Sequence, residues 1–266
     1  GVGKPIASFA RRMKYQAFDV ELFLVTPRPS KDLHNRLVHS SLVIINSFDV
    51  VKTITVNAMS GIRARCQKYG IPILFYVHET EHVLNRRLTE QPEKFLNFLR
   101  NVLPDTICLA VSDQQAEWLL TLGAKNVRTV YNSVEEPILD GTRYGSGPGE
   151  FLPVKIMMVG TQQRRKGVDL FSQVSDIAAD RGLDWEFVWA GSETGESDEL
   201  YRSKNVRWAG QLSRHELGKE LASASCFFLS SVDDPMPLSV GEALYHSVPA
   251  VVYRRTGFAD FISYNR

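Results

Sequence analysis

The sequence predicts an α/β protein made of two parallel-sheet domains in series. Short apolar runs alternate with longer segments of helical spacing, in βαβα order. The runs are apolar throughout, as in strands covered on both faces. The pattern stops once, at a stretch rich in glycine, proline and acids, and then restarts. With 266 residues the chain has room for two domains, at roughly 100–200 residues each.

In the first half, strands are read at 20–25, 41–46, 71–77, 106–111 and 127–132. Ile6, Phe9, Ala10 and Met13 follow the i, i+3, i+4, i+7 rule and predict a helix. The segments 50–69, 81–102 and 113–122 predict three more. The interruption is EEPILDGTRYGSGPGEFLP, residues 135–153. It divides the chain into an N-terminal Rossmann-like domain over 1–140, a linker over 141–153 and a C-terminal Rossmann-like domain over 154–266. In the second half, strands are read at 154–160, 185–191, 206–210, 226–230 and 249–253, and helices at 167–181, 213–223 and 237–247. Residue 1 already lies in a glycine turn, GVGKP, with no strand before it, and the chain stops at TGFADFISYNR without closing helices. Truncation is expected at both ends.

Composition narrows the function classes. Apolar content is 44%, enough for a core, and a net charge of +1 gives no pull toward nucleic acid. Cys66, Cys108 and Cys226 are odd in number and widely spaced, which argues against a disulfide framework and fits a reducing cytoplasm. No apolar run approaches the ~20 residues that span a bilayer, and no signal-peptide core is present; peripheral membrane contact stays open.

Two turns of the second domain carry the chemistry. Turns that follow strands of an open parallel sheet lie at its carboxyl edge, where ligands bind. In VGTQQRRKGVDLF, residues 159–171, a strand ends at Gly160 and Arg164, Arg165 and Lys166 precede Gly167 and a helix. Cations beside free helix amides suit a phosphate, although three bases in a loop can equally be solvated surface. In SSVDDPMPLSVGEALYHSVPAVVY, residues 230–253, Pro237 suits a first helical position, leaving the amides of Leu238 and Ser239 for an anion. Asp234 precedes this turn and Glu242 lies eight residues further on. Carboxylates there repel phosphate but accept hydrogen bonds from sugar hydroxyls; the plain alternative is that Asp233 or Asp234 only caps the helix. Taken together, cations and amides for a pyrophosphate and carboxylates for hydroxyls match a nucleoside diphosphate sugar. Asp233 and Asp234 could also suggest Mg²⁺, but no metal is required beside a cationic loop.

At these residues the chain resembles the retaining GT-B glycosyltransferases of family 4, the glycosyl transferases group 1. DDPMPLSVGEAL is similar to their acid-x7-Glu motif, VGTQQRRKGVDLF to their Gly…Lys-Gly phosphate loop, VYNSVEEP to their Asn-Gly-Val stretch, and HSVPAVVYRRTGFADFI to their Gly-x-Pro-Val-Val…Gly-x-x-Glu tail. VHETEH, residues 77–82, follows a strand where the family has a histidine facing the cleft. The likeness is strong over 154–262 and weaker over 1–130. This chain departs in having Asp234 where Glu is usual, Thr161 where Arg often follows the glycine, Ser133 for Gly and Asp260 for the final Glu.

The resemblance implies two Rossmann-like domains with parallel sheets facing across a cleft. It implies a metal-independent transferase, with no cofactor, that moves a sugar from a UDP- or GDP-sugar to a glycan, lipid-linked or other acceptor with retention. Lys166, with Arg164 or Arg165, would neutralise the diphosphate, starting from the turn at Gly160; Leu238 and Ser239 would donate amides; Glu242 would bind the ribose. Asp234 and His78 would act on the transferred sugar, and Gly1 and Gly3 would admit backbone close to donor or acceptor. The setting implied is polysaccharide biosynthesis in the cytoplasm, peripheral to the inner face of a membrane at most. Rival readings are a non-catalytic nucleotide-sugar or glycan-binding module, a sugar-nucleotide epimerase or phosphorylase, and a nicotinamide oxidoreductase. The last has only the weak fingerprint GVG in its favour.

Overall fold

A computed structural model describes residues 42–53, 55–134, 153–259 and 261. The strand expected at 20–25, the helix begun at Ile6, the glycines Gly1 and Gly3, most of the linker and Asp260 lie outside the described residues. The chain divides into two compact units, Gly1–Asn132 and Ser133–Arg266.

The first unit carries four parallel strands in the order β1-β2-β3-β4: Val43–Asn46, Ile73–Tyr76, Ile107–Ala110 and Asn126–Thr129. Two helices, α1 (Phe48–Thr53) and α2 (Val56–Tyr69), stand where one was expected over 50–69. Thr55 is extended and its hydroxyl accepts from the Ala58 amide, so it caps a fresh helix. The span 81–102 also divides, into α3 (Glu81–Glu90) and α4 (Pro92–Asn101), because Pro92 cannot continue a helix but suits its first turn. Ser112 caps α5 (Asp113–Thr121) by accepting from the Gln115 amide. Phe48, Phe75, Phe95 and Phe98 are wholly buried. Phe48 and Phe98 meet Phe75 edge-on at 5.1 and 4.9 Å between centroids, and this aromatic knot ties α1 and α4 to the sheet.

The second unit carries five parallel strands: β5 (Val154–Val159), β6 (Trp185–Ala190), β7 (Val206–Gly210), β8 (Cys226–Phe228) and β9 (Ala250–Val251). Their order is β7-β6-β5-β8-β9. The chain therefore winds outward from β5 in one direction, returns to its other side, and winds outward again. This is the doubly wound arrangement, with its switch point between β5 and β8. Helices α6 (Val168–Asp180), α7 (Arg214–Ala222) and α8 (Leu238–Tyr245) complete the described unit. Ser213 and Glu216 close a reciprocal capping box on α7. Met157, Met158, Phe171, Val188 and Trp189 form the centre of the core. Trp185, the first residue of β6, is 42% exposed.

Candidate functional site

The switch point brings the two chemical turns of the second unit together. The loop after β5 ends in a single 3-10 turn, Arg164–Lys166, and Gly167 then caps α6 with φ 74°. The loop after β8 runs from Leu229 to Pro237, the N-cap of α8, so the helix begins one residue later than expected. β5 and β8 are hydrogen-bonded neighbours, so the loops leave the sheet side by side. Three contacts sew them together. Ser230 Oγ donates to the Lys166 carbonyl at 2.9 Å, and the Val232 amide donates to the Arg165 carbonyl at 3.2 Å. Gly167 presses against Ser230 so closely that only glycine fits.

On this seam Lys166 Nζ and Asp234 Oδ2 form a direct ion pair. The Lys166 and Asp234 side chains are only 13% and 10% exposed, so the pair is largely withdrawn from water. Arg165 stands at 4.0 Å from the same carboxylate oxygen. Arg164 faces the other way. Its guanidinium lies 3.5 Å from Asp169 Oδ2, and its amide donates to Glu196 Oε2 at 3.1 Å. Of the two arginines named as partners of Lys166, the geometry therefore favours Arg165. Asp234 is not a helix cap: the N-cap residue is Pro237, and the carboxylate is the counterion of the basic loop.

Leu238 and Ser239 open α8, and among the described residues no group accepts from their amides. Glu242 is half-buried on the same helix. Gly160 lies under the stem of Lys166, where an added Cβ would meet Lys166 Cδ at an ordinary 3.5 Å. Two buried hydroxyls, Ser231 Oγ and Thr256 Oγ1, have no partner among the described residues. The segment bearing Thr256 is tied to the Asp234 loop by the Gly257 amide, which donates to the Pro235 carbonyl at 2.9 Å.

Several structural residues were missed in the sequence. Trp189 Nε1 donates to the Gly160 carbonyl at 2.8 Å, and Gly191, at φ 153°, leaves no room for a Cβ against that same oxygen. These fix the start of the loop after β5 from β6. Gly241 lets α8 approach Val134 and Phe258, since a Cβ would meet them at 2.6 and 3.1 Å. Gly191 ends a strand at the carboxyl edge, which was a readable signal; Gly241 within a helical run gave none beyond its helix cost.

In the first unit His78 also lies at a carboxyl edge. Nε2 donates to Asn46 Oδ1 at 3.0 Å, and the ring packs on Tyr76 at 4.1 Å between centroids. Nδ1 is thus left as an acceptor. Burial pushes the His78 imidazole down to about 4, so it is neutral at physiological pH. Tyr76 donates to Asn132 Oδ1 at 3.3 Å. Glu79, adjacent to His78, accepts from the His78 amide at 3.2 Å and from the Phe48 amide at 2.9 Å. Gln115 holds this corner by accepting from the Val111 amide and donating to the Glu79 carbonyl, both at 2.7 Å. Asn46 and Glu79 were not singled out in the sequence, although each ends a strand or its turn.

Among the described residues no cluster of three or more His, Cys, Asp or Glu could hold a metal ion. None of their helices is long and apolar enough to cross a membrane.

Comparison with known proteins bears on the fold and on the second unit. Residues 153–266 match the family model of glycosyl transferases group 1. No curated protein sequence matches the chain at a significant level. Among solved structures, the chain is similar to the lipopolysaccharide outer core galactosyltransferase WaaB in its apo form, with TM-score 0.59 and 18% identity over 96% of this chain and 65% of that one. Sucrose-phosphate synthase from Thermosynechococcus elongatus gives 0.64 at 16% identity, covering 87% of this chain and 60% of that one. Anabaena Alr3699/HepE in complex with UDP gives 0.62 at 14% identity, covering 97% and 73%. The chain thus spans about two thirds of these proteins' length. It has the α/β architecture of the GT-B glycosyltransferases, and its second unit is similar to the group 1 glycosyl transferase family.

Proposed function

We propose that this chain works as a metal-independent, retaining glycosyltransferase of family 4, transferring a sugar from a nucleoside diphosphate sugar to a glycan or lipid-linked acceptor. The observation that carries the reading is the β5/β8 switch point. There Lys166 and Arg165 converge on Asp234 while the adjoining α8 opens with two uncommitted amides. Cations and oriented amides stabilise the charge that grows on the leaving diphosphate. Glu242 accepts from the ribose hydroxyls and Asp234 from the sugar. His78, neutral and with Nδ1 available as an acceptor, is suited to a sugar hydroxyl. No side-chain nucleophile is assigned, because the leaving phosphate can take the acceptor proton. Alr3699/HepE was solved with UDP-glucose, which makes the uridine series the first donors to try. The proposed setting is polysaccharide assembly on the cytoplasmic side of a membrane.

Calorimetric titration with UDP, GDP, ADP and NAD, with and without Mg²⁺, tests this reading. One nucleoside diphosphate should bind without metal, and Lys166→Ala should abolish that binding. Glu242→Gln should weaken it by about ten- to a hundredfold, the worth of a hydrogen bond to a charged group. Preferential NAD binding, or binding that needs Mg²⁺, would overturn the proposal.

A further inference from the structure

We infer that Asp234 lets the site distinguish a nucleoside diphosphate sugar from a bare nucleoside diphosphate, by holding Lys166 in the empty chain and requiring hydroxyl donors once phosphate takes that lysine. The inference rests on the donor-site reading above and adds a discrimination to it.

Three features carry it. First, the loop's least exposed cation is already committed: Lys166 is paired with Asp234, and both side chains are largely shielded from water. A diphosphate reaching Lys166 must compete with that carboxylate. Second, the exchange cannot be relieved by letting the carboxylate swing into solvent. Asp234 as a whole residue is only 7% exposed. Its loop is held on both sides, by the Val232 amide on the Arg165 carbonyl and by the Pro235 carbonyl on the Gly257 amide. Third, Arg165 at 4.0 Å is the other cation paired with Asp234 among the described residues, and it is half exposed. It is a weak replacement for a shielded lysine.

A bare nucleoside diphosphate thus leaves a buried carboxylate short of its partner, which is costly. A sugar on the same diphosphate brings hydroxyl donors and restores what the carboxylate lost. Product would then bind more weakly than donor, which favours its release after transfer.

The test uses UDP, GDP and ADP, each beside its glucose conjugate, titrated calorimetrically into the chain. For whichever base binds, the wild type should prefer the conjugate by about tenfold or more, and glucose alone should not bind. Asp234→Asn removes the competing charge. It should tighten the bare diphosphate several-fold and bring the two ligands to within about threefold of each other. Asp234→Glu keeps the charge and should keep the preference. A merely structural role for Asp234 would weaken both ligands together in the Asn variant and leave their ratio intact, which overturns the inference while the donor site stands. A wild-type ratio near one overturns it without recourse to any variant. If no diphosphate binds the wild type, the donor-site reading and the inference both fall.

Discussion

A β-carbon on Gly167 would stand 2.0 Å from the carbonyl oxygen of Ser230, so the turn that presents Lys166 and the turn that presents Asp234 touch through main chain. Gly167→Ala must push the loops apart as well as strain a left-handed residue, and should destabilise the second unit by about 3 kcal/mol or more. Gly182 is the internal control. It has φ 68° but open space around its Cβ position, so Gly182→Ala should cost only about 1 kcal/mol. Urea denaturation of both variants checks the difference.

His78 supplies a pH dependence with a definite sign. Its imidazole is held near 4 in the folded chain by burial, against 6.5 when free. Between these values the unfolded chain binds more protons, so stability is complete above pH 6.5 and falls as pH drops toward 4. The full effect is about 3 kcal/mol. His78→Gln should remove that slope: the difference in stability between wild type and variant should shrink between pH 7 and pH 4.5. A constant difference across that range would show that the imidazole is not held neutral.

Lys155 and Glu220 should respond unequally to truncation. Lys155, 8% exposed, pairs with Glu220 and donates to Ser223 Oγ at 2.8 Å. Glu220 has a second cation, Arg207, at 2.9 Å. Burial pushes the Glu220 carboxyl up, but Arg207 and Lys155 outweigh that and hold it below the usual range. Glu220→Ala strands a buried ammonium and should cost about 3 kcal/mol. Lys155→Met leaves Glu220 its arginine and should cost less. Equal losses by chemical denaturation would contradict this asymmetry.

Gln115 is 5% exposed and satisfies two main-chain groups, the Val111 amide and the Glu79 carbonyl. Gln115→Leu keeps the volume but strands both. A loss of about 2–4 kcal/mol is expected, together with faster hydrogen exchange at the Val111 amide. An unchanged exchange rate would show that another group replaces the glutamine.

The strands were the most legible part of the fold. The runs VKIMMV and WEFVWA are apolar over most of their length because β5 and β6 are largely buried, and their ends, like those of VRWAG in the edge strand β7, fall within a residue of those read from sequence. Helix interruptions were less legible. Pro92 announced one by its missing amide; the break before Thr55 depended on a cap within a β-branched run, TITV, which a 3.6-residue pattern passes over. At the site, residue types were readable but partnerships were not. Lys166 and Asp234 lie 68 residues apart, and nothing local says that β8 returns to the flank of β5. The same gap hid which arginine faces the acid. It also hid His78's neutrality, which comes from burial rather than from a neighbouring charge.

The main-chain seam between the two loops is made of carbonyls, the Val232 amide, one serine hydroxyl and a glycine; the Arg165 side chain meets the Asp234 carboxylate at 4.0 Å rather than the main chain, and the Arg164 side chain turns to Asp169. Those two positions can therefore be varied without redirecting the backbone that carries them. If the donor-site proposal holds, a small library at Arg164 and Arg165, screened against different nucleotide sugars, should change which one binds while the scaffold itself is left in place.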